Sequence, residues 1–177
     1  IALENRFQII HNLESSAITS VNNTDVKDAL GYVDLIGENP KALKLHLCDN
    51  GFKNKNKAIS VIKANVLKGS FMPCKESNYD VYTVTHEYGH MIQNSIVANE
   101  FNPTSTDDYY KVYALHRAEL MSIAKSIDSN ADIDSLISIY GFDDDGDFFA
   151  ECFANSQLGE PNLLGEAMKI WLHRRNL

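Results

Sequence analysis

The sequence predicts a mainly helical α+β fold with a small β-sheet, forming one domain over residues 1–177. Three observations carry that expectation. Several stretches hold apolar residues at helical spacing between recognisable caps and stops. One stretch, Ala42-Leu43-Lys44-Leu45-His46-Leu47-Cys48, alternates with period two and reads as a half-buried strand. Hydrophobic residues at 44% and charged residues at 23% are ordinary globular values for 177 residues sharing one core, and there are no internal repeats and no obvious linker. The net charge of −8 argues against a nucleic-acid or anionic-membrane partner, which would normally meet a basic patch or tail. No apolar run approaches the roughly 20 residues of a membrane span. Cys48, Cys74 and Cys152 are widely spaced, so they read as free thiols in a reducing compartment rather than a disulfide framework. The chain begins at Ile1 with no secretory signal and reads as an excised fragment or processed form.

Taken in order, Leu3, Phe7, Ile9, Ile10 and Leu13 predict a short helix within residues 1–20. Asn22-Asn23-Thr24-Asp25 is suited to capping a helix through Val26, Leu30, Val33 and Leu35, stopped by Gly37 and Pro40. The strand around Leu45 follows, then a turn at Asp49-Asn50-Gly51 and a solvated basic run from Lys53 to Lys57. Ile59, Ile62, Val66 and Leu67 share a helix face that ends with Gly69 at C′. Phe71-Met72-Pro73 is a candidate edge strand. Ser77 or Asn78 is expected to cap a helix running to about Ala98. After a loop at 99–106, Ser105 or Thr106 caps a helix over about 107–127. Asp107 and Asp108 favour its start, and Leu115, Leu120, Ile123 and Ile127 form its core side. A further helix is expected from Asp132 to Tyr140, and Gly141 to Asp147 reads as a solvated turn and cap. A short buried helix then covers 147–156, and the last helix begins near Pro161.

One of these helices carries the chemistry. Thr85-His86-Glu87-Tyr88-Gly89-His90 contains His-Glu-x-x-His. Residues four apart lie on one helix face, so His86 and His90 can offer two imidazoles to one metal ion. Glu87 lies about 100° further round. Its carboxylate sits beside the metal, within reach of a water on it. Two ligands and an adjacent base are what a zinc hydrolase requires. Val81, Val84, Met91 and Ile92 make this a largely buried helix, where unpartnered imidazoles would be costly.

A catalytic zinc takes a third protein ligand. Glu151 lies among Phe148, Phe149, Ala150, Cys152, Phe153 and Ala154, where a carboxylate needs a partner, and it is the expected third ligand. Asn155, one turn on, is expected to orient a zinc histidine from behind. His116 and Glu119 form an i, i+3 pair whose plainer reading is a surface ion pair.

His-Glu-Tyr-Gly-His-Met, followed some sixty residues later by Asp-Phe-Phe-Ala-Glu-Cys-Phe-Ala-Asn, resembles the zinc peptidases of the anthrax lethal factor catalytic-domain type. It is similar, more closely still, to zincin-like domains of bacteriophage minor head proteins and related mobile-element proteins. The match covers residues 79–97 and 147–157. The resemblance implies a zincin-like fold and a zinc metalloendopeptidase of the gluzincin-like kind. One zinc ion would be held by His86, His90 and Glu151, with Glu87 as general base and a protein or peptide as substrate. It implies a setting in a bacterial cytoplasm or phage particle, within a larger phage or mobile-element polypeptide. The alternative it leaves open is a zinc-stabilised structural or interaction domain. Lethal-factor-type enzymes carry a tyrosine seven residues before the ligand glutamate, but seven before Glu151 stands Asp144. Tyr140 is the nearest substitute, with Tyr109, Tyr110, Tyr113 and His116 as others.

Overall fold

The computed structural model describes residues 18–21, 30–33, 45–48 and 54–177. Among these the chain is mainly helical with a small three-stranded sheet. The strands are β1 (Ile18–Val21), β2 (Gly31–Val33) and β3 (Leu45–Cys48), in the order β1-β3-β2. β1 runs parallel to β3 and β2 antiparallel to it.

The N-terminal expectations fare unevenly. Leu45–Cys48 is the strand its alternation predicts. The positions that carry the first expected helix, Leu3 to Leu13, lie outside the described residues, and Ile18–Val21 is strand. The helix expected through Val26–Leu35 is overturned at Gly31–Val33. Tyr32 pairs with His46 across the sheet, the two rings stacked 4.4 Å apart. Cross-strand aromatic pairing decides the conformation of so short a segment. The expected cap at 22–25 and turn at 49–51 lie outside the described residues.

Helix α1 (Lys55–Leu67) begins at Asn54, whose side chain accepts from Lys57 N. It stops at Gly69, whose φ of +73° lets Ser70 N reach back to Asn65 O. Phe71–Pro73 is no edge strand, because Met72 N donates to the Glu151 carboxylate. A 3₁₀ turn over Glu76–Val81 delays the next helix, α2 (Tyr82–Phe101), past the expected cap at Ser77 or Asn78.

Helix α3 (Thr106–Ile127) is capped by Ser105, which accepts from Asp108 N. Its buried side is Tyr109, Val112, Tyr113, His116, Leu120, Ile123 and Ala124. Leu115 and Ile127, expected inside, are 54% and 43% exposed, because the tyrosines and His116 fill that face instead. The helix expected over 132–140 is broken into a 3₁₀ turn (Asp134–Leu136) and a short α4 (Ile139–Asp143). Ser138 accepts from Gly141 N and starts the new helix there. Asp144 then starts α5 (Asp145–Gln157), accepting from Gly146 N and Asp147 N at 2.7 and 3.0 Å. Asn162 caps α6 (Leu163–Arg174) by the same device.

The main core joins α2, α3, α5 and α6. Phe148, Phe149 and Phe153 are fully buried in it beside Met91, Ile92, Leu120, Leu164 and Trp171. Each such phenylalanine stabilises the fold by about 1.5–3 kcal/mol. Helices α2 and α5 meet backbone against backbone at Gly89. A Cβ placed on Gly89 would come within 2.9 Å of Ala150 Cα, so only glycine permits this crossing. That proximity sets the histidine face of α2 against the acidic face of α5.

Candidate metal centre

Residues 86 and 90 lie one turn apart on α2, with ring centroids 4.9 Å apart. The first turn of α5 meets them. Asp147 Oδ1 is 3.5 Å from His86 Nε2 and 3.2 Å from His90 Nε2. These three side chains form a possible metal-binding triad, their ligand atoms all within 4.8 Å of one another. Ligands about 2.0–2.1 Å from a tetrahedral ion stand roughly 3.3 Å apart. The donor set and both contacts to Asp147 therefore fit such an ion.

Glu151, expected on the metal, lies elsewhere. It projects one helical turn beyond Asp147 and reaches the back of His86, Oε1 standing 2.9 Å from Nδ1. Its other oxygen accepts from Met72 N at 2.5 Å and from Tyr82 Oη at 2.9 Å. A carboxylate committed to those two donors is anchored behind the imidazole. The pair stands at ion-pair distance without the alignment of a hydrogen bond, so Glu151 acts on His86 through charge at close range. The correction is a matter of register on one helix face. Asp147 and Glu151 are four apart, and the burial of Glu151 drew the sequence reading to the inner of the two. The overlooked signal was Asp147 itself, absorbed into the cap of α5.

Asn155 does not touch either histidine. Fully buried, it donates to Pro73 O at 2.6 Å and accepts from Asn162 N at 3.0 Å. It ties α5 to the 71–75 segment and to the start of α6, and thus has a structural role instead of the expected orienting one. His116 is also buried, among the rings of Phe101, Phe149 and Trp171. Burial lowers its pKa to about 4. Glu119 faces outward from it, accepting from Trp171 Nε1 at 2.6 Å and from Arg175 at 3.1 Å. The plainer reading, ion pairing with neighbours, holds for Glu119, which pairs with Arg175, and fails for the buried His116.

The electrostatics of the centre follow from these contacts. Burial disfavours a charged His86, but the adjacent carboxylates of Asp147 and Glu151 outweigh it and raise the imidazole to about 10. Burial works against the Asp147 anion too, yet His86 and His90 hold its carboxyl well below the usual range. Glu87 is buried, and desolvation pushes its pKa up against the pull of the two histidines. A carboxylate so raised is a better proton acceptor near neutral pH.

Two cavities of about 300 and 340 Å³ flank the triad and share Gly31, His86, Glu87 and Tyr140 in their walls. The first sets Leu30, Val61, Phe71, Tyr82 and Ile139 beside the polar Asn65, Ser70 and Thr83. The second is lined by Tyr32, Tyr110 and Tyr113, with Asp144 and Asp147. Tyr140 is half exposed at their junction, its ring 6.4 Å from that of His86. Burial and the nearby Asp147 and Glu87 raise its phenol, keeping it protonated and able to donate. Tyr113 donates to Asn94 and presents its ring rather than its hydroxyl. No family model, no curated protein and no solved structure matches this chain. Among the described residues no helix is long and apolar enough to cross a membrane.

Proposed function

We propose that the chain is a zinc-dependent endopeptidase of zincin-like fold. Zinc would be held by His86, His90 and Asp147, and Glu151 would steady His86 from behind. The observation that carries this reading is the convergence of His86, His90 and Asp147 beside a buried Glu87, at the junction of two cavities. A bound zinc would supply Lewis acidity toward a carbonyl and a water acidified to a pKa of about 7. Glu87 takes the proton of the attacking water and delivers it to the departing amine. Tyr140 donates its phenolic hydrogen to the developing oxyanion. The cavity walls on either side receive the residues flanking the cleaved bond, which suits an extended peptide.

The resemblance gains from the change of ligand. Seven residues before Asp147 stands Tyr140, so the tyrosine that looked displaced relative to Glu151 falls at the family's spacing. Asp147 also lies at the head of the Phe-Phe-Ala-Glu-x-Phe segment that bears the ligand in lethal-factor-type enzymes. An origin in a phage minor head or mobile-element polypeptide, acting on a protein partner there, remains part of the same proposal.

Glu87→Gln is the deciding experiment. The variant should keep the wild-type zinc content and melting temperature and lose hydrolysis of every peptide the wild type cuts. A wild type that holds zinc yet cleaves nothing in a diverse peptide library would leave the domain a structural zinc module. A wild type that takes up no zinc would end both readings.

A further inference from the structure

We infer that Arg117, outside the metal triad, is a positioning residue that fixes Tyr140 and Asp147 relative to each other. The inference rests on the peptidase reading for its kinetic consequence and on the metal triad alone for its binding consequence.

Tyr140 and Asp147 belong to different helices, joined by the tight corner between α4 and α5. The corner is compact. A Cβ on Gly141 would come within 3.1 Å of Phe148 Cα, so the residue after Tyr140 rests on the residue after Asp147. From α3 the Tyr113 ring packs against Gly146, and Arg117 reaches the corner with its charged end. The Arg117 guanidinium donates to Gly141 O at 3.2 Å and to Asp145 Oδ1 at 3.0 Å. Its carbon lies 4.7 Å from the centroid of the Phe148 ring. Arg117 thus holds the residue after Tyr140, the residue two before Asp147 and the residue directly after it. Its side chain is only 19% exposed, so these contacts are shielded from competing water.

The geometry needs arginine. Both hydrogen bonds leave one nitrogen, Nη1, while the flat guanidinium lies over the Phe148 ring; a lysine ammonium offers the donors but no plane to stack there. On the opposite side α4 is held by two backbone bonds, Ile139 N donating to Gly69 O and Tyr140 N to Ser70 O, and by the edge of Phe71 against the Tyr140 ring. Those bonds fix where α4 begins. Arg117 fixes how α5 leaves it, and hence where the Asp147 carboxylate stands relative to the Tyr140 phenol. Misplacement of a reacting group by about 1 Å can cost 100-fold in rate.

The test compares Arg117→Gln, Arg117→Lys and Asp145→Asn in the zinc-loaded full chain. Asp145→Asn serves if removing the guanidinium prevents folding. On a peptide the wild type cleaves, each variant should lower kcat about 10- to 100-fold while KM stays within about twofold. In a competition titration the zinc dissociation constant should rise about tenfold. Lysine should fail to rescue either quantity. Reduced melting temperature with unchanged kcat and zinc affinity would reduce Arg117 to a structural clamp and overturn the inference. Full rescue by lysine would overturn it too. If the wild type cleaves no peptide, the peptidase reading falls and the zinc titration alone decides. A tenfold weaker site supports positioning, and an unchanged one refutes it.

Discussion

Gly89 lies against Ala150 with no room for a side-chain atom, a Cβ there falling 2.9 Å from the Ala150 backbone. One residue on is His90, and on the facing helix Asp147 and Glu151 flank Ala150 on the same chain segment. The candidate metal triad therefore depends on a helix crossing that one methyl group would spoil. Gly89→Ala should destabilise the fold by about 1–3 kcal/mol through overpacking, despite the better helix propensity of alanine. It should also weaken zinc binding, because α2 and α5 must separate to admit the methyl. Urea denaturation together with a zinc titration checks both. Unchanged zinc affinity would mean that the helices yield elsewhere.

The division of labour between Asp147 and Glu151 is open to direct comparison. Asp147→Asn removes the negative charge facing both histidines and should reduce zinc affinity by well over 100-fold. Glu151→Gln leaves all three ligands in place and should cost about 10–100-fold, the usual penalty for an outer partner. It should also destabilise the metal-free protein, since Met72 N and Tyr82 Oη lose a charged acceptor worth about 1.5–3 kcal/mol per bond. A larger zinc loss in Glu151→Gln than in Asp147→Asn would restore the assignment read from the sequence.

That assignment shows what the sequence made legible. His86, Glu87 and His90 share a helix, and helical spacing alone brings them together. The proposed third ligand comes from another helix, and its identity depends on how far α5 slides along α2. Asp147 and Glu151 occupy the same face of α5, so periodicity cannot choose between them. What chooses is the Gly89–Ala150 contact and the anchoring of Glu151 to Met72 and Tyr82, both long-range. The strand at β2 was missed for a related reason. Its three residues are too few to establish a period, and their partner Leu45–Leu47 lies across an intervening segment. On α3 Leu120 and Ile123 are buried as expected, but Leu115 and Ile127 are not, because Tyr109, Tyr113 and His116 look polar and yet pack inward.

Asn155 gives a prediction of the opposite kind. Its amide joins Pro73 O to Asn162 N through a fully buried side chain. Asn155→Ala strands both backbone groups at about 1–3 kcal/mol each. The metal-free protein should therefore melt at a lower temperature. Zinc affinity, measured where the variant is fully folded, should match the wild type because no contact to either histidine is lost. A drop in affinity without a drop in stability would show the orienting role first expected of it.

The last prediction concerns protons. In the metal-free protein His86 titrates near 10 beside Asp147 and Glu151, against a usual value near 6.5. A group with a raised folded pKa contributes its full stability below its unfolded pKa and loses it as pH rises through the folded one. The metal-free domain should accordingly lose stability as pH climbs from about 6.5 toward 10. Asp147 acts at the other end. Its depressed folded pKa contributes above the ordinary carboxylate range and is lost as pH falls below it. Zinc requires the neutral imidazole, so binding must displace the His86 proton. Calorimetry at pH 7.5 in buffers of different ionisation enthalpy should show about one proton released per zinc bound. The affinity should rise about tenfold per pH unit until His86 is neutral without the metal. Zinc binding that releases no proton at pH 7.5, with flat metal-free stability between 6.5 and 10, would mean that Asp147 and Glu151 do not hold His86 as an ion pair.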